Sequence, residues 1–145
     1  RLNAPALQEF TAELLRRSLR LIVQVRLIDE RHEFHAMNLK PVPVAELGAF
    51  LTRHPKLSVL ASGLLRSEIL PLVTRHPQLL ADLSFAEWHD TMPHLLAKVP
   101  ARQLVFASHT PFLVTAAARA KLDTAKLGGI RQPAIAAGNL ARFLG

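Results

Sequence analysis

A six-residue echo sets the grammar of this chain. Thr52-Arg53-His54-Pro55-Lys56-Leu57 and Thr74-Arg75-His76-Pro77-Gln78-Leu79 match in all but one position, Lys56 against Gln78. The residue before a proline is pushed out of helical geometry, so each His-Pro ends a helix. The leucine that follows opens an apolar run, 57–61 in the first copy and 79–83 in the second. Runs of that length between stop signals read as strands. Helix, stop and strand in succession form the unit of a parallel sheet, whose strands need a crossover between them.

The same alternation extends in both directions. Residues 4–20 place Leu7, Phe10, Leu14 and Leu15 on one side, an amphipathic helix. Strands are expected at 21–27 (LIVQVRL) and 104–107 as well. Helices are expected at 43–54, with proline near its first turn, and at 66–76, where Pro71 sits in the first turn or kinks the helix. Further helices are expected at 88–98, 114–126 and 132–144. The fold class is therefore α/β, parallel strands alternating with helices. About four βα units make half of a (β/α)8 TIM barrel or a small open sheet. The opening helix has no strand before it, which favours the carboxyl-terminal half of a barrel with its partner half upstream.

Composition narrows the function classes. The 145 residues are enough for a single domain with a real core, half of them hydrophobic and a fifth charged. No apolar run is long enough to span a bilayer and no signal peptide is visible, so a cytoplasmic protein without membrane partners is expected. The first residue, an arginine, suggests that further sequence precedes it. Cysteine is absent, so any metal must use His, Asp or Glu. The formal charge of +7 invites nucleic acid. The basic residues are scattered, however, with no tyrosine, one tryptophan and no basic–aromatic stripe, so no nucleic-acid partner is expected.

Candidate chemistry gathers at the carboxyl ends of the strands, where parallel α/β folds place their ligands. In 104–112 (LVFASHTPF) a buried strand stops on a small residue, a histidine and a proline-led loop. Ser108 and His109 fall where it leaves the core, which makes His109 a catalytic candidate. Strand period separates Leu21, Val23, Val25 and Leu27 from Ile22, Gln24 and Arg26. The aliphatic set should meet the helices, and Gln24 and Arg26 should enter the lumen. A buried guanidinium needs a partner, and Asp82, which shares a polar face with Ser84, is one candidate. Arg26 then either holds a substrate carboxylate or phosphate or makes an internal ion pair.

The loop after the first strand carries Asp29, Glu30, Arg31, His32, Glu33 and His35. His35 is a candidate ligand or acid/base, and Arg31 a second anion-binding residue. Glu87 and Asp90 suit the first turn of a helix, and Trp88 either floors a pocket or caps the core. His54 and His76 sit near helix carboxyl ends, where the dipole favours a cationic ring, a structural role.

VQVRLIDERHEFH, HPKLSVLASG, HPQLLADLSF, VPARQLVFASHTPF and IAAGNLARFLG together cover nearly the whole chain. In that order they resemble the carboxyl-terminal half of the amidohydrolase-related proteins, metal-dependent hydrolases with a (β/α)8 barrel. That group also holds decarboxylases of the aminocarboxymuconate-semialdehyde type. The resemblance implies a His-x-His metal pair in an upstream half. The family's histidine at the end of the sixth strand matches Ala61-Ser62-Gly63. Its aspartate at the end of the eighth, in a GSDxPF-like motif, falls on His109. His35 is similar to a histidine found after the fifth strand in a branch that also carries a SHAPF-like motif. Gly138 and Asn139 match the family's tail and read as a helix break and a backbone hydrogen-bonding residue.

The resulting expectation is part of a hydrolase for a small C–N, ester or carboxylate-bearing substrate, or of a decarboxylase. A divalent metal, zinc, would be held mainly by the upstream half, with His109 as a ligand. His109, His35 and Asp82 would be catalytic; Arg26, Arg31 and Ser84 would bind substrate. The segment alone would be inactive, and its exposed sheet edges would favour homo-oligomers or docking of the upstream half. The alternative is a barrel without metal that serves as a binding or structural module.

Overall fold

The apolar runs pair side by side in chain order. The computed structural model describes residues 1–29 and 39–145, and places strands β1 (Leu21–Gln24), β2 (Val59–Ser62), β3 (Leu79–Asp82) and β4 (Leu104–Val105) in one parallel sheet ordered β1-β2-β3-β4. Helices α1 (Leu7–Arg16), α2 (Val44–Arg53), α3 (Arg66–Arg75), α4 (Thr91–Leu96) and α5 (Thr115–Thr124) alternate with them. The expected α/β class and element order are therefore present, with strands shorter than the apolar runs.

Register explains the packing. Val23 pairs with Ala61, Ala61 with Ala81, and Ala81 with Leu104, so these four form one buried row. Alanines at its centre let helix side chains come close. Leu47, Phe50 and Leu51 of α2 and Ile69, Leu72 and Val73 of α3 fill that side at helical spacing, in one core with Val23 and Val25. The aliphatic set of the first strand thus meets the helices as the alternation predicts, except that Leu27 is exposed.

Both His-Pro stops work as read. His54 and His76 are the residues that end α2 and α3, and their backbone N–H groups close the last turns onto Phe50 and Leu72. Their charge state differs from the expectation. Burial first, and then the neighbouring Arg53 or Arg75, pushes each imidazole below its ordinary pKa, so the neutral ring is favoured rather than the cation. Pro71 lies in the second turn of α3, not the first, and the helix continues to Arg75. The fourth helix begins at Thr91, so Glu87 and Trp88 precede it rather than forming its first turn.

The carboxyl-terminal segment is continuous rather than broken. Helix α6 (Arg131–Pro133) runs through a π-helical stretch, Ala134–Gly138, into α7 (Asn139–Leu144), and Gly138 keeps helical angles. Buried Asn139 donates to the carbonyls of Ala101 and Leu104, both at 2.7 Å, which is the backbone role expected of it. Phe143 and Leu140 pack with Leu60, Leu80 and Val105, on the sheet face opposite the main core. Arg20 Nη1 donates to the Leu144 carbonyl at 3.1 Å, tying the end of α7 to the start of β1. Beyond α7, Ile22 of that face remains exposed. Among the described residues, no helix is long and apolar enough to cross a membrane.

Candidate active-site mouth

The polar residues of the second sheet face converge at the carboxyl ends of the strands. Asp82 closes β3 and is buried. Its Oδ1 accepts from the Gly63 and Ser84 backbone N–H groups, both at 3.2 Å, and from Ser84 Oγ at 2.7 Å. Its Oδ2 accepts from Ser62 Oγ on the adjacent strand. Asp82 and Ser84, expected as catalytic and substrate-binding residues, are thus joined to each other and to the end of β2. Four donors fix the orientation of the carboxylate.

Gly63 is the joint between this carboxylate and Arg26. Its N–H reaches Asp82, while its carbonyl accepts from Arg26 Nη1 at 2.6 Å. The backbone there is left-handed, with φ at +82°, and an added Cβ would stand 2.7 Å from the Arg26 carbonyl oxygen. Only glycine meets both conditions without strain.

Arg26 is buried at the mouth, as the strand alternation suggests, but its counter-ion is not Asp82. The guanidinium forms a two-pronged pair with Glu68, Nη2 to Oε1 at 3.0 Å and Nη1 to Oε2 at 3.1 Å. Glu68 lies in the first turn of α3 and also accepts the Leu65 N–H at 2.8 Å, satisfying one of the free donors of that turn. The internal ion pair is therefore present, and Arg26 also lines a cleft of about 640 Å3 with Asp29, Leu65, Arg66, Ser67, Phe85, Glu87 and Trp88. Trp88 is not a core residue. It is mostly exposed, with the Arg66 guanidinium 5.2 Å from its ring centre.

His109 stands over the same region from the other side. Its backbone is left-handed, φ +54°, and its ring meets Phe85 edge-on with 4.9 Å between centres. Nε2 lies 2.6 Å from the Leu27 carbonyl oxygen. A carbonyl only accepts, so Nε2 carries a proton, and in the neutral ring Nδ1 is the nitrogen with the lone pair. A ring N–H fixed on a backbone carbonyl is the usual way a protein sets the tautomer of a ligating or proton-accepting histidine.

Arg31 and His35, the remaining expected site residues, lie outside the described residues. Among the described residues, no three His, Asp or Glu side chains come together so as to hold a metal ion. His109 fits as one nitrogen ligand through Nδ1, whereas Asp82 has both oxygens committed to protein donors. A complete zinc ligand set would therefore draw on residues beyond those described.

Sequence reading missed Glu68, Phe85 and Lys121. Lys121 of α5 is partly buried, and its Nζ donates to the Leu83 carbonyl at 2.7 Å just past β3. Burial lowers its pKa below the ordinary lysine range, against the opposing pull of Glu87 and Asp82. No family model matches the chain, and no curated protein matches it.

Proposed function

We propose that this chain forms half of the mouth of an amidohydrolase-like (β/α)8 barrel that hydrolyses a small anionic amide or ester. The reading is supported by His109, whose Nε2–H is fixed on Leu27 while Nδ1 is left as a proton acceptor at the carboxyl end of a parallel sheet. Arg66, beside Trp88 in the cleft that Arg26 also lines, supplies a cation for the anionic end of the substrate. Arg26 is pre-ordered by Glu68 to shape that wall. His109 accepts the proton from the attacking water, and Asp82 holds the ends of β2 and β3 in place beneath. Zinc in this site would draw its ligand set from beyond the described residues, including the upstream half, and would leave His109 Nδ1 to accept the proton.

One observation favours a second reading. Phe143 and Leu140 occupy part of the sheet face that a closed barrel turns toward its axis. A chain that fills its own lumen in this way suits a binding or structural module without metal.

The two readings separate in one experiment. The full-length protein, this chain joined to its upstream half, and its His109→Ala variant are assayed on a panel of small esters and amides, with metal content measured by mass spectrometry. The hydrolase reading expects turnover that falls by about 100-fold or more in the variant, the scale of a lost general base. Turnover unchanged by the substitution overturns it. Absence of both turnover and metal overturns the hydrolase reading and favours the module.

A further inference from the structure

A second cleft of about 620 Å3 lies between α4 and α5. Its walls are apolar over most of their extent, with Met92, Pro93, Leu113, Val114, Ala117 and Ala118. One lysine enters it. Of the five lysines in the chain, Lys40, Lys56, Lys98 and Lys126 are exposed, and Lys121 alone is partly buried. The hydrogen bond from Nζ to the Leu83 carbonyl anchors the amine head at the end of β3, where Ser84 and Glu87 line the same cleft.

We propose that Lys121 captures a small aldehyde as an imine, with the apolar body of the aldehyde seated between α4 and α5. The chemistry needs a neutral amine beside a water-poor pocket that takes the carbonyl compound. Burial against the apolar wall lowers the pKa of Lys121, and in the neutral amine the N–H held by Leu83 leaves the nitrogen lone pair for attack. Nζ adds to the carbonyl carbon, the C–O π bond opens, and the oxygen takes up a proton to give a carbinolamine. Loss of water then forms the C=N bond, with the second amine proton leaving on that water, so amine plus aldehyde gives imine plus water. Of the carboxylates that line the cleft, Glu87 is the one whose charge acts on Lys121, and in this proposal it relays these protons. His89 and Asp90 also line it, and Asp82 acts on Lys121 through its charge. The inference rests on the amine and its cleft and is independent of the hydrolase reading.

Benzaldehyde with cyanoborohydride near neutral pH tests it, because reduction fixes each imine as a benzylamine that peptide mass spectrometry assigns to a lysine. The exposed lysines are internal controls in the same sample. Lys121 is expected to label about tenfold faster than any other lysine, a measure of its larger neutral fraction and of local capture. Its rate is expected to saturate with benzaldehyde and to fall when benzyl alcohol competes for the cleft. Lys121→Arg is expected to abolish that one label and leave the others unchanged. Labelling of Lys121 no faster than the exposed lysines overturns the proposal. So does a rate that rises linearly with benzaldehyde and ignores benzyl alcohol.

Discussion

His109 Nε2 lies 2.6 Å from the carbonyl oxygen of Leu27, so the loop after β4 is fastened to the loop after β1 across the mouth. His109 makes this bond from a left-handed backbone, a conformation tolerated by asparagine and strained for β-branched residues.

His109→Val therefore loses the hydrogen bond and adds backbone strain, a destabilisation of about 2–3 kcal/mol. His109→Asn keeps the tolerated backbone and should cost about 1 kcal/mol. Urea denaturation of the two variants checks the order. A valine variant as stable as the asparagine one would show that the backbone at this position relaxes.

Gly63→Ala is predicted to be among the most damaging single-methyl additions in the chain. The φ of +82° alone costs a side chain about 1–2 kcal/mol, and the Cβ would stand 2.7 Å from a backbone oxygen that has no flexible side chain to move. Loss of at least about 2 kcal/mol is expected. Gly48→Ala serves as the control, because its added Cβ would meet Leu72 Cδ2 at an ordinary 3.6 Å.

Arg26 and Glu68 are both poorly exposed, at 7% and 18% of their side chains. Removing either partner leaves the other charge with little water, so Arg26→Met and Glu68→Gln should each cost about 3–5 kcal/mol. The double variant should recover a large part of that loss, because neither charge of the pair remains. Thermal unfolding of the four proteins gives the coupling. Additive losses would mean that the pair is not the counter-ion arrangement described.

The extent to which the sequence revealed this architecture follows from which forces are local. The strands were legible because short, largely apolar runs, such as 57–61 and 79–83, bounded by stop signals, fit a sheet covered by helices. Their lengths were less legible. Arg26 and Leu27 continue the alternation of β1, yet they have left the ladder to serve the mouth. The ion partner of Arg26 was sought along neighbouring strand ends, which pointed to Asp82. Glu68 comes instead from the first turn of α3, and its signal was a carboxylate three residues past the helix cap. Lys121 gave no signal at all, since a lysine in TAAARAKLDT reads as solvated helix surface until tertiary packing folds it against Leu83. Arg31, His32 and His35 lie outside the described residues, so that part of the site rests on sequence alone.

The two repeated histidines predict how stability depends on pH. Burial, then Arg53 or Arg75, lowers the pKa of His54 and His76 in the folded chain relative to the ordinary 6.5. The unfolded chain therefore binds more protons than the folded one as pH falls through that value, and stability falls with it. The contribution is fully present above 6.5 and is lost as pH drops through the lowered folded pKa values. Glu13 and Asp123, also lowered, by Arg16 and Arg119 respectively, act with the same sign but only in the carboxylate range further down. Urea midpoints measured between about pH 7.5 and 5.5 isolate the histidine window. They should decline in the native protein and decline less in His54→Gln/His76→Gln. An equal decline in both proteins would place the responsible proton elsewhere, and His109 at the mouth would be the next ring to substitute.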